Sequence, residues 1–81
     1  MRGEPTSVFG QVLRRVRRER DLSQEALADM AQLARNHVSE IERGRRDPGL
    51  STIVQLADAL GIGIGELGTL FDEERRRPAG A

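Results

Sequence analysis

Ser39, His37 and Glu40 place a hydroxyl, an imidazole and a carboxylate close together, which are the side-chain types of an acyl-transfer triad. Their spacing defeats that chemistry. Neighbours at i, i+2 and i+3 of one helix do not converge as nucleophile, base and orienting group, and the sequence holds no second His and no Gly-rich phosphate loop. With a single His and no Cys there is no metal-ligand set either, so neither a metal nor another cofactor is expected. The same stretch supports a different chemistry. Arg35 and Asn36 precede His37, and Arg43, Arg45 and Arg46 follow it. A guanidinium is a planar fork of N–H donors matched to anions and to paired acceptors on a heterocycle edge, while a carboxamide offers donors beside an acceptor. Such groups recognise and orient; they do not break bonds.

For these side chains to act together, one helix must present them. Val38 and Ile41 stand at helical spacing and predict a third helix over about Arg35 to Arg43, with Gly44 as the left-handed residue that ends it. Committing Val38 and Ile41 to a core leaves Arg35, Asn36, His37, Ser39, Glu40 and Arg43 facing outward or sideways. A break of about three residues, Gln32 to Ala34, separates this helix from a second one over about Gln24 to Ala31. Ser23 can cap that helix, Leu22 can pack on Leu27 as a hydrophobic staple, and Ala28 is small enough to let another helix approach steeply.

The supporting elements follow from the same periodicity. Phe9, Val12, Leu13 and Val16 predict a first helix over about Val8 to Glu19, with Ser7 as its cap. The turn sequence GRRDPG leads into Leu50, Ile53, Leu56, Ala57 and Leu60, a fourth helix closed by Gly61. A fifth, from about Ile64 to Leu70, should be short and frayed, because Gly65 and Gly68 each cost roughly 1 kcal/mol relative to Ala in a helix interior. Residues 1–7 read as a flexible arm, residues 8–71 as the domain, and residues 72–81, DEERRRPAGA, as a disordered tail with nothing apolar to bury. No repeat and no strand pattern is found, so the expected class is all-α.

Composition bounds what such a domain can do. Eighty-one residues without cysteine make one small domain held by burial alone, and 37% hydrophobic residues with only two aromatics build one compact core. A chain of this size buries only roughly 60 to 65% of its unfolded surface, which leaves modest stability and room for a partner subunit. With 32% charged residues and no apolar run near the length of a membrane span, the expectation is a soluble cytoplasmic protein without a membrane partner. Thirteen basic residues, all Arg, balance thirteen acidic ones. The balance conceals segregation: residues 1–22 hold six Arg against three acids, and residues 51–81 hold three Arg against five acids. The local field, rather than the total, steers a charged ligand.

The segment QEALADMAQLARNHVSEIER, Gln24 to Arg43, resembles the helix-turn-helix core of the λ-repressor/Cro-like family, also called the xenobiotic-response-element family. The resemblance extends through FGQVLRRVRRERDLSQEALA, VSEIERGRRDPGLSTIVQLADALGI and IGELGTLF, covering about Val8 to Phe71. It implies a compact five-helix domain in which helices two and three form the helix-turn-helix and helix three enters the major groove of double-stranded DNA. Two positions depart from the family pattern. Gln32 stands where the turn usually has Gly, which implies a left-handed non-Gly residue, and Ala34 stands where Ser or Thr usually caps the recognition helix.

In that docking mode the outward face of helix three places Arg35, Asn36, His37 and Glu40 as base contacts, since Arg reads guanine, Asn reads adenine and a carboxylate accepts from cytosine, while His37 could reach a thymine methyl or a phosphate or remain a plain surface residue. Glu40 serves equally as a repulsive element against wrong sequences. Phosphate contacts are expected from Gln24, Ser39, Arg43, Arg45 and Arg46, and a structural ion pair between Arg17 and Glu42. Arg14, Arg15 and Arg18 read mainly as a solvated face. Leu67, Leu70 and Phe71 are candidates for a homodimer interface that would set two recognition helices about 34 Å apart on a near-palindromic operator. The implied function is a transcriptional regulator, most simply a repressor. An antitoxin with a toxin partner, a restriction-modification controller, or a protein-protein module without DNA binding are the alternatives. The chain has no room for an effector pocket beside its core, so no small-molecule effector is expected, and no enzymatic activity.

Overall fold

The structure is a computed structural model and describes residues 4–77. Five helices follow in order: α1 (Pro5–Glu19), α2 (Gln24–Ala31), α3 (Arg35–Glu42), α4 (Leu50–Leu60) and α5 (Ile64–Arg76). Among the described residues there is no strand, as the periodicity predicts.

The ends of the domain differ from the sequence reading. α1 begins at Pro5, so Pro5, Thr6 and Ser7 are helical rather than part of an arm, and Ser7 lies inside the first turns instead of capping them. Proline at the start of a helix is pre-set to helical φ and needs no N–H there, which extends α1 by a turn without a side-chain cap. At the other end α5 runs on to Arg76, through the segment 72–76 expected to be disordered. Contacts to the domain carry the extension. Glu74 accepts from Arg15 of α1 at 3.3 Å, and the guanidinium of Arg75 stands 5.7 Å from the centre of the Phe71 ring. Arg75 and Arg76 in the last turn also complement the helix dipole. The remainder of the expected arm and tail, residues 1–3 and 78–81, lies outside the described residues.

The internal punctuation agrees with the sequence. Ser23 Oγ accepts from the backbone N–H of Ala26 at 3.0 Å, and Leu22 packs, partly buried, against the core cluster that contains Leu27. α2 ends on Gln32 in the left-handed conformation, φ 60° and ψ 42°, with the Leu33 N–H donating back to Ala28 O at 2.8 Å. Gly44 takes φ 72° just beyond α3.

One core joins all five helices: Phe9, Val12, Leu13 and Val16 from α1, Leu27 and Ala28 from α2, Val38 and Ile41 from α3, Leu56, Ala57 and Leu60 from α4, and Leu67 from α5. Leu50, counted above in the apolar stripe of the fourth helix, is instead 70% exposed at the first turn of α4. α4 and α5 meet at 101°, and no single helix among the described residues is long and apolar enough to cross a membrane.

Candidate nucleic-acid interface

α3 is the centre of the candidate interface, and its position is fixed on both sides. Val38 and Ile41 are fully buried, which pins one face of the helix to the core. On α1, Gly10 removes the obstacle to a close crossing: a Cβ there would lie 2.5 Å from the carbonyl oxygen of Ile41 and 2.7 Å from that of Glu42.

The C-terminal end of α3 is tied by an ion-pair network. Arg17, only 8% exposed, donates from Nε to Glu42 Oε2 at 2.6 Å and from Nη2 to Oε1 at 3.0 Å, and its Nη1 donates to the carbonyl of Leu22 at 2.8 Å. Gln24, at the start of α2, donates from Nε2 to Glu42 Oε1 at 3.0 Å. The Glu42 carboxylate at the end of α3 therefore gathers Arg17 of α1 and the first residue of α2, and Arg17 in turn ties in the α1–α2 turn through the Leu22 carbonyl. The expected Arg17–Glu42 pair is present, and Gln24 adds a bond to it. That bond occupies one N–H of the Gln24 carboxamide and leaves the second available to a phosphate.

With Val38, Ile41 and Glu42 committed inward, α3 turns its other side chains outward or to its flanks. Arg35 and Asn36 are exposed in its first turn, while His37, Ser39 and Glu40 are half-buried along its flanks. Arg43, Arg45 and Arg46 are exposed around Gly44, where the backbone closes α3 through Gly44 N–H to Ile41 O at 3.0 Å and Arg45 N–H to Glu40 O at 2.9 Å. This arrangement offers paired donors and a carboxamide at one end of a short rod and three guanidinium groups at the other. Among the described residues there is no group of His, Cys, Asp or Glu suited to a metal ion.

The apolar cluster on α5 divides differently from the sequence expectation. Leu67 is 2% exposed and belongs to the core, because its helix position faces α1 and α4; it has no surface to offer a second subunit. Leu70 and Phe71 are half-buried, and Ile64, not singled out from the sequence, is 48% exposed. Ile64, Gly68 and Phe71 rim an apolar groove of about 420 Å³ whose other walls include Pro5, Phe9 and Pro48.

Several structural residues were not visible in the pattern of the sequence. Gln55 on α4 donates from Nε2 to Ala31 O at 3.0 Å, and Arg20 donates from Nε to Leu60 O at 2.7 Å, both closing helix ends. Asp21 adopts φ 55° between α1 and α2. Gly10 did carry a signal, a glycine in the middle of a strongly periodic helix, which points to close approach by another backbone.

Comparison with known proteins yields related folds and sequences. The family model described as Helix-turn-helix matches residues 13–67, more than half of the chain. An immunity repressor protein from Bacillus phage phi105 is 42% identical over 69 residues, covering 82% of this chain, and the chain spans about half, 48%, of the phage protein. The crystal structure of the restriction-modification controller protein C.AhdI from Aeromonas hydrophila is 45% identical with a TM-score of 0.75, over 76% of this chain and 94% of the controller. The controller C.Esp1396I, solved as a tetramer with its natural 35 base-pair operator, shares the fold with a TM-score of 0.88 at 23% identity, over 93% of this chain and 99% of that one.

Proposed function

The chain belongs to the λ-repressor/Cro-like helix-turn-helix family of DNA-binding transcriptional regulators, and we propose that it acts as a repressor that binds a near-palindromic operator as a homodimer. The observation that carries this reading is the division of α3 into a fully buried face, Val38 and Ile41, and an exposed first turn, Arg35 and Asn36. A helix held rigidly on one side, with bidentate donors on the other, suits the major groove, where guanine presents O6 and N7 and adenine presents N6 and N7.

In this reading Arg35 and Asn36 read bases, with His37 and Glu40 beside them. Ser39, Arg43, Arg45, Arg46 and the free N–H of Gln24 hold phosphates and set the register of docking. The role is one of binding in the cytoplasm and not of catalysis. Ile64, Leu70 and Phe71 make the two-fold contact between subunits, with Leu67 behind them. Selection of bound duplexes from a random pool tests the proposal: recovered sequences should converge on two inverted half-sites about one helical turn apart. A pool that shows no consensus would overturn it.

A restriction-modification controller is a second specific role, favoured by the 45% identity to C.AhdI over 94% of that protein's length. It uses the same interface, so the two readings differ in the regulated gene and not in the chemistry.

A further inference from the structure

We infer that Gln55, which lies on α4 outside the helix-turn-helix, is a positioning residue that sets DNA specificity by holding the turn between α2 and α3 through its hydrogen bond to Ala31 O.

That turn is short of local support. The last carbonyls of a helix lack intrahelical partners, and Ala31, the final residue of α2, is buried where water does not replace them. Gln32 then turns the chain through a left-handed conformation that a non-Gly residue adopts at a cost of roughly 1 to 2 kcal/mol. Ala34, the N-cap residue of α3, has no side-chain oxygen with which to fix the start of the helix. Into this gap Gln55 Nε2 donates to Ala31 O at 3.0 Å. The bond satisfies the buried carbonyl and couples the turn to α4, whose Leu56, Ala57 and Leu60 are rooted in the core.

The consequence falls on Arg35 and Asn36 because they begin α3 only four and five residues after Ala31. Bidentate contacts to base edges tolerate displacements of only a few tenths of an ångström, since N–H···O distances lie within about 2.7 to 3.2 Å. Long arginines on phosphates adapt to larger shifts. Loosening the turn should therefore erode discrimination between sequences while leaving general affinity for duplex DNA intact. The inference rests on α3 as the reading helix, and the test separates the two.

The experiment measures dissociation constants of the full chain for a duplex selected by the wild-type protein and for a scrambled duplex of equal length, well below the unfolding temperature. Gln55→Leu, which has no donor, should lower the ratio of specific to nonspecific affinity by about tenfold, the size of one lost base contact, with nonspecific affinity unchanged. Gln55→Lys, which restores a donor, should recover most of the ratio. If Gln55→Leu does not fold, Gln55→Met keeps an unbranched side chain without a donor and carries the same expectation. A lowered unfolding temperature with an unchanged ratio, or equal loss on both duplexes, would overturn the inference. A wild-type protein that shows no preference between duplexes removes the reading helix itself, and the inference with it.

Discussion

Arg17 and Glu42 are bound to one another through two hydrogen bonds, 2.6 and 3.0 Å long, between the last turn of α1 and the last residue of α3. Both side chains are at least 90% buried, so neither charge is compensated by water if its partner is removed. Breaking such a pair from one side costs roughly 3 to 5 kcal/mol, whereas replacing both partners with apolar groups costs far less. Arg17→Met alone should therefore destabilise by roughly that amount. The double variant Arg17→Met with Glu42→Leu should be more stable than Arg17→Met. Chemical denaturation of the set checks the order, and equal stability of the single and double variants would show that the pair is not desolvated in solution.

Left-handed backbone supplies a prediction of opposite sign. Gln32 is exposed with φ 60°. Gln32→Gly should remove a conformational cost of roughly 1 to 2 kcal/mol. The greater freedom of Gly in the unfolded chain returns roughly 0.4 to 1 kcal/mol of that gain. The net effect is a stabilisation of about 0.5 to 1 kcal/mol, read as a higher denaturation midpoint with an unchanged slope. Asp21→Gly, at φ 55°, should gain less, because Asp tolerates this region better than Gln.

The two faces of the α5 cluster should separate in solution. Ile64→Glu places a charge on a residue that is 48% exposed in the single chain, at the first turn of α5, where the helix dipole favours an acid. The chain should stay folded and shift towards monomer in sedimentation velocity. Leu67→Glu buries the same charge in the core and should unfold the chain. A dimer that survives Ile64→Glu would place the two-fold contact elsewhere.

Most of this arrangement is legible in the sequence for identifiable reasons. Val38 and Ile41, Leu27, and the α1 set Phe9, Val12, Leu13 and Val16 repeat at helical spacing and fix the core faces. Ser23, Gln32 and Gly44 mark boundaries because each is tied to a local backbone requirement. The helix ends are not legible where that requirement is absent from the pattern. Pro5 starts α1 by its ring geometry without a cap, and α5 continues to Arg76 through an ion pair with Arg15, 59 residues away. Leu67, expected at a subunit interface, lies in the core while Ile64 is exposed, because apolar residues alone do not declare which side of a Gly-interrupted helix meets the core. Gln55 could not be seen at all: its partner is a backbone carbonyl 24 residues away.

The proposed division between a base-reading first turn of α3 and a phosphate-holding segment just beyond its end is most directly tested by Arg35→Ala and Arg45→Ala, each titrated with a selected and a scrambled duplex across a range of salt. Arg35→Ala should lose roughly 1 to 3 kcal/mol on the selected duplex and little on the scrambled one. Arg45→Ala should weaken both alike and reduce the slope of log K against log salt by about 0.9. Equal losses on both duplexes for Arg35→Ala, with a salt slope unaltered by Arg45→Ala, would contradict DNA reading by α3.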